Sequence, residues 1–133
     1  MLLLKKLKFD SNNLISVIIQ DYQTSEVLML GYMNPEALKT TIDKGKVCFY
    51  SRSRKKLWVK GETSGHIQTV KEIRYDCDGD TLLITVEQKG GACHLGYKSC
   101  FFTKYESRTG SIIDKEKIFN PNDVYRKENN PGG

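Results

Sequence analysis

IQTVKEIRYDCDGDTLLITVEQ, residues 67–88, carries the reading of the fold. Its first nine residues alternate weakly, with Ile67, Val70 and Ile73 as the apolar members, and Thr81 to Gln88 returns as a β-branched, apolar strand. Between them Asp78 and Gly79 form the dipeptide that most strongly signals a tight hairpin turn. Gly90 and Gly91 end the second strand.

Working outward, Leu14 to Ile19 is a short apolar run rich in β-branched residues, the pattern of a buried strand. Asp21 to Ser25 supplies turn chemistry, and Glu26 to Met33 reads as a second strand. Asn34 and Pro35 then open a helix, as N-cap and first helical residue. That helix is predicted to run to about Lys44 and stop at Gly45, with Ala37, Leu38 and Ile42 on its inward face. Lys46 to Ser51 and Leu57 to Lys60 read as extended, separated by a basic loop, and Phe101 to Tyr105 as a last strand. The sum is an α+β pattern: one small domain over residues 1–119, mostly antiparallel strands, one clear helix. Residues 120–133, with two prolines and several asparagines and glycines, read as a flexible tail.

Apolar runs such as Val27 to Leu30 are far too short to cross a bilayer, which argues against a membrane protein. The opening Met-Leu-Leu-Leu-Lys-Lys puts its charge after a three-leucine run, the reverse of a signal peptide, so a cytoplasmic protein is expected. Cysteines stand at 48, 77, 93 and 100. An even count fits two disulfides in a secreted protein, but without a secretion signal reduced thiols are expected, and clustered thiols then point to metal or catalysis. The net charge of +5 suits an anionic ligand without specifying one.

Chemistry concentrates between Asp76 and Cys100. Asp76, Asp78 and Asp80 alternate with Cys77 and Gly79; three close carboxylates suit a hard cation such as Mg²⁺, and equally a solvated turn. Cys93 and Cys100 follow in ACHLGYKSC. Three clustered thiols with no fourth fit a catalytic zinc site that keeps a position for water, and they match no zinc ribbon; unreactive buried thiols are the plain alternative. Cys48, inside an apolar strand, reads as core. His94 neighbours a candidate ligand and suits a fourth ligand or a general acid/base, and His66 sits in a small-residue loop where it suits a substrate contact. Arg52, Arg54, Lys55, Lys56 and Lys60 surround Trp58; this cluster suits phosphate groups, a nucleic-acid backbone or solvent.

Taken together, these segments resemble the phosphoribosyl-AMP cyclohydrolase family of histidine biosynthesis. The resemblance runs from about residue 14 to 104 through EVLML, YMNPEAL, YSRSR, LWVKGETSGH, DCDGD and ACHLGYKSCF. It implies a zinc enzyme whose ligands are Cys77, Cys93 and Cys100, with magnesium on Asp76, Asp78 and Asp80, one ion of each per subunit. It also implies a homodimer in which Cys77 of one subunit joins Cys93 and Cys100 of the other. The implied substrate is a small nucleotide, 1-(5-phosphoribosyl)-AMP, whose C6–N1 bond is hydrolysed to give the formimino imidazole-carboxamide product. In that frame His94 is the expected proton shuttle, and Arg52, Arg54, Lys60 and His66 the expected substrate contacts. One departure is visible: the family usually carries threonine after Cys-His, and this chain carries Leu95. A zinc-stabilised nucleic-acid-binding module is the rival reading, disfavoured because three aspartates repel a phosphate backbone.

Overall fold

In a computed structural model that describes residues 1–125, the quoted hairpin forms one edge of a four-stranded main sheet. In chain order the elements are α1 (Leu2–Lys6), β1 (Ile15–Asp21), β2 (Val27–Met33), α2 (Pro35–Lys44), β3 (Cys48–Ser51), β4 (Lys56–Val59), β5 (Gln68–Tyr75), β6 (Thr81–Gln88), β7 (Thr103–Glu106), β8 (Gly110–Ile113) and α3 (Pro121–Tyr125). The main sheet has the order β2-β1-β6-β5. β5 and β6 pair antiparallel, with Tyr75 opposite Leu82 and Ile73 opposite Ile84, across an irregularity between Val70 and Glu72. β1 pairs antiparallel with β2 and parallel with β6. The sheet is therefore mixed at one junction in an otherwise antiparallel fold. Two short antiparallel pairs, β3-β4 and β7-β8, complete the strands.

β1 shows why its sequence makes a strand: Ile15, Val17, Ile19 and Asp21 are buried and the intervening residues are not. Period-two burial of β-branched side chains fits one face of a pleated sheet on a core. That face meets Leu82, Ile84 and Val86 of β6 together with Leu28, Met33, Val47 and Phe49. Each such side chain, fully removed from water, contributes roughly 1.5–3 kcal/mol.

α2 begins and ends as local chemistry dictates. The Asn34 side chain accepts from the Ala37 N–H at 2.8 Å, and Gly45 takes the left-handed conformation (φ 67°) while its N–H donates to the Thr41 carbonyl. Its inward residues are Ala37, Leu38 and Thr41; Ile42, expected there, is exposed. Thr41 is tolerated inside because it is satisfied: its hydroxyl donates to the Ala37 carbonyl at 2.8 Å and accepts the Cys48 N–H at 2.9 Å. Cys48 is buried in the core, as expected.

The last strand begins two residues later than expected, at Thr103, and pairs with β8, which has no clear alternation of its own. Of the expected tail, Pro121–Tyr125 forms α3, and residues 126–133 lie outside the described residues. Among the described residues no helix is long and apolar enough to cross a membrane.

Candidate active site

The segment from Ala92 to Cys100 folds back on itself. Ala92 N–H donates to the Lys98 carbonyl at 2.8 Å, Cys93 N–H to Tyr97 at 3.1 Å, and Gly96 N–H to Cys93 at 3.2 Å. The turn needs Gly96: its φ is 105°, and a Cβ there would lie 2.6 Å from the Phe119 carbonyl oxygen. The loop is also tied to the main sheet. Cys100 N–H donates to the Leu28 carbonyl at 2.7 Å, and the Ser99 hydroxyl to Val27 at 2.7 Å. Tyr97 stacks on Phe102, with ring centroids 3.8 Å apart and planes 7° from parallel.

Lys98 supplies the charged anchor. Its ammonium lies 2.8 Å from a carboxylate oxygen of Asp21 and 3.6 Å from Glu26. Burial pushes the Asp21 carboxyl up, but hydrogen bonds from Lys98 and from the Thr24 and Gln23 N–H groups outweigh it, so its pKa is lowered. The same partnership raises Lys98. Lys98→Met should therefore cost about 2 kcal/mol at neutral pH, since it strands a largely buried carboxylate. A carboxyl with a lowered folded pKa contributes stability above its ordinary value and loses it as pH falls through the folded one. The gap between variant and parent should thus be full at pH 7 and close in strong acid. Urea unfolding at both pH values checks this; a gap that is the same at both would sink the assignment.

This scaffold brings the Cys93 and Cys100 thiols close enough for each to bear on the other's charge. Cys93 is buried, and its sulfur accepts the Leu95 N–H at 3.4 Å. Cys100 keeps an exposed face. Desolvation around its sulfur, then the neighbouring Cys93, push its pKa up to about 11, with Lys60 pulling the other way. Without metal the Cys100 thiol is protonated at neutral pH, and a metal must displace its proton to bind. Paired sulfurs on a prefolded loop, one already accepting an amide, fit a thiophilic ion such as zinc.

Cys77 is exposed in the β5-β6 turn. Among the described residues the only set of three or more potential ligands gathered within 4.8 Å of one another is Asp76, Asp78 and Asp80, so Cys77 does not join Cys93 and Cys100 in the single chain. The three carboxylates are all exposed, and Asp76 accepts the Asp80 N–H at 3.1 Å. Oxygen donors at this spacing fit a hard cation such as magnesium.

Of the other expected residues, His94 is exposed beside Cys93. His66 is half-buried, edge-on to Phe119 at 4.5 Å; burial, together with the charges of Lys60 and Lys89, holds its imidazole below the ordinary value. Arg52 and Arg54 are exposed in the β3-β4 loop, and the Arg52 guanidinium sits 4.1 Å over the Tyr32 ring. Lys60 is different: it is only 5% exposed, and burial lowers its pKa while Cys100 and Cys93 pull it the other way.

Sequence reasoning missed a cleft of about 600 Å³ lined by Leu30, Tyr32, Phe49, Tyr50, Arg52 and Trp58. Its size and aromatic lining suit a nucleotide. Trp58 links it to the thiol loop, because its ring also lies 5.5 Å from the Lys60 ammonium. The signal was a tryptophan among cations, which alone does not tell a cleft wall from an exposed stacking platform.

Comparison with known proteins identifies the family. A family model described as phosphoribosyl-AMP cyclohydrolase matches residues 29–102. A protein of that name from Chlorobaculum tepidum is 52% identical over 125 residues, covering 94% of this chain and 91% of its own length. One from Desulforapulum autotrophicum is 56% identical over 117 residues, 87% of this chain and 94% of the relative. The match spans the cleft, the aspartate turn and the thiol loop alike, and the chain belongs to the phosphoribosyl-AMP cyclohydrolase family.

Proposed function

We propose that this enzyme hydrolyses the C6–N1 bond of 1-(5-phosphoribosyl)-AMP in the cytoplasmic histidine pathway, as a zinc-dependent homodimer. The observation that carries the reading is the paired Cys93 and Cys100 thiols, held on a prefolded loop next to a nucleotide-sized aromatic cleft. Zinc held by these two, with Cys77 of a second copy as third ligand, would supply a Lewis acid that makes water nucleophilic near neutral pH. Magnesium on Asp76, Asp78 and Asp80 would add positive charge where a bis-phosphorylated substrate needs it.

The chain's own residues do the rest. The cleft aromatics take the purine by stacking, and Arg52, which lines the cleft, is the first proposed phosphate contact, in bidentate fashion. Arg54, on the same loop, is the second proposed phosphate contact, and His66 a substrate contact. Overall, water oxygen bonds to C6, the C6–N1 bond breaks, and N1 leaves with a proton as part of a formimino group. His94, exposed beside Cys93, is the proposed carrier of the proton that leaves water and reaches N1.

The test is ring opening itself, followed by absorbance with purified chain and phosphoribosyl-AMP. Turnover is expected with both metals present. A mild chelator should stop it reversibly by taking magnesium, and a strong one should stop it until zinc is returned. No ring opening by folded, zinc- and magnesium-loaded protein would overturn the proposal. Turnover that survives complete zinc removal would overturn its metal chemistry alone.

A further inference from the structure

We propose that the small cleft lined by Asn12, Leu14, Tyr50, Arg52 and Lys55 is a second subsite of this enzyme, which takes one 5-phosphoribosyl arm of the substrate with Lys55 as a phosphate contact. This rests on the reading of the substrate as a nucleotide that carries two such arms.

The cleft has a volume of about 300 Å³ and shares two of its walls, Tyr50 and Arg52, with the aromatic cleft of about 600 Å³. The two hollows are neighbours across one tyrosine and one arginine, so one molecule can lie across both. Their linings differ in chemistry. The larger is walled by Phe49, Tyr50 and Trp58, aromatic rings on which a flat base stacks. The smaller has two cations and an amide around one buried leucine, and none of the described residues that line it is acidic. Arginine and lysine bind phosphate oxygens through charge-assisted hydrogen bonds, and an amide side chain both donates to and accepts from sugar hydroxyls. A volume at the low end for ligand sites suits a sugar phosphate and not a whole nucleotide.

The backbone sets these residues in place before any ligand arrives. Lys55 N–H donates to the Ser51 carbonyl at 2.8 Å, which closes the β3-β4 loop, and Lys55 takes the left-handed conformation, with φ 55°. That conformation costs free energy for a residue with a Cβ, and strained residues of this kind cluster at ligand sites. Arg52 is steadied over the Tyr32 ring, 4.1 Å from its centroid. Asn12 comes from the segment before β1, where its N–H and that of Leu14 donate to one Asp10 carboxylate oxygen at 2.8 and 3.0 Å. Two separate stretches of chain thus converge on one basic hollow beside the base cleft.

Steady-state ring opening is measured on zinc- and magnesium-loaded wild type, Lys55→Met, Lys55→Arg and Lys56→Met, each checked for folding by circular dichroism. Lys56 is the next residue, exposed and lining neither cleft, so Lys56→Met reports the effect of general charge. Lys55→Met should raise KM for phosphoribosyl-AMP about tenfold, the loss expected for one hydrogen bond to a charged group. The change should leave kcat close to wild type, because the phosphate takes no part in the bond changes. Lys55→Arg should stay near wild type. An unchanged KM in Lys55→Met overturns the subsite, and so does an equal rise in Lys56→Met. A second readout needs no turnover. Ribose 5-phosphate, one arm without its base, should shift the Asn12 side-chain amide resonance of the loaded wild type, and Lys55→Met should need more of it for the same shift. An Asn12 resonance that ignores ribose 5-phosphate overturns the subsite. If loaded wild type opens no ring, the reading of the reaction fails by itself, and the Asn12 resonance still decides whether this cleft takes a phosphosugar.

Discussion

Serine at Cys93 or at Cys100 should abolish both zinc binding and turnover, while serine at Cys48 should abolish neither. A serine hydroxyl is far less acidic than a thiol and a much poorer match to zinc, so each exchange at the paired sulfurs leaves too few thiolates to hold the metal. The loop itself should survive, because it is held by the bonds from Cys100 and Ser99 to β2 and by the Lys98–Asp21 ion pair, none of which uses a sulfur. Cys48 is the control from the same protein. It is 2% exposed in the core, where its sulfur packs like a small hydrophobe. Cys48→Ser buries a hydroxyl and should cost about 1–3 kcal/mol of stability with zinc content unchanged. Metal analysis and the ring-opening assay on all three folded variants decide the matter. A Cys93→Ser protein with full zinc would remove the ligand assignment, and a folded Cys48→Ser protein without zinc would redirect it.

What the sequence made legible was what short-range chemistry decides. α2 was readable to the residue because its ends depend on Asn34, Pro35 and Gly45 acting on backbone within one turn. The β5-β6 hairpin was readable because Asp78 and Gly79 specify a turn and a turn specifies an antiparallel partner. The parallel β1-β6 pairing was not, since the residues that pair lie 65 positions apart, as Ser16 and Thr81 do, and side-chain alternation is blind to strand direction. Thr41 in place of Ile42 was hidden for a related reason: its burial depends on the Cys48 N–H, which arrives only with the tertiary fold.

The same division runs through the site. Cys93 and Cys100 lie in one short loop, so their proximity follows from local chain geometry. Asp76, Asp78 and Asp80 likewise share one turn. Lys60 looked like one more cation in a basic stretch with Arg52 and Arg54. Only tertiary packing, which leaves Lys60 5% exposed, separates it from the two exposed arginines. The cleft needs β2 and β3 side by side, which no periodicity announces.

An inactive Cys77→Ser protein and an inactive Cys93→Ser protein, unfolded and refolded together, should recover about a quarter of wild-type activity, counting sites from two-fold symmetry. The reason lies in the distribution of the sulfurs. Cys93 and Cys100 meet within the chain, whereas Cys77, on the exposed β5-β6 turn, is not gathered with them. If the third sulfur comes from a second copy, a symmetric dimer has two equivalent sites, each built from both chains. The apolar side chains needed to bury such a contact stand near the relevant elements, with Tyr75 exposed just before the turn and Phe101 exposed just after Cys100. In a heterodimer of the two variants, one site then receives both serines and the other receives none. Random pairing makes half the dimers mixed, and one of the two sites in each is intact. If each site instead drew all its sulfurs from one chain, every site in the mixture would carry one serine and none would work. Zinc content should rise in step with activity, which separates a rebuilt centre from a trace of wild-type enzyme. A mixture that forms dimers by light scattering yet stays inactive and free of zinc would sink the shared centre, while leaving Cys93 and Cys100 as ligands.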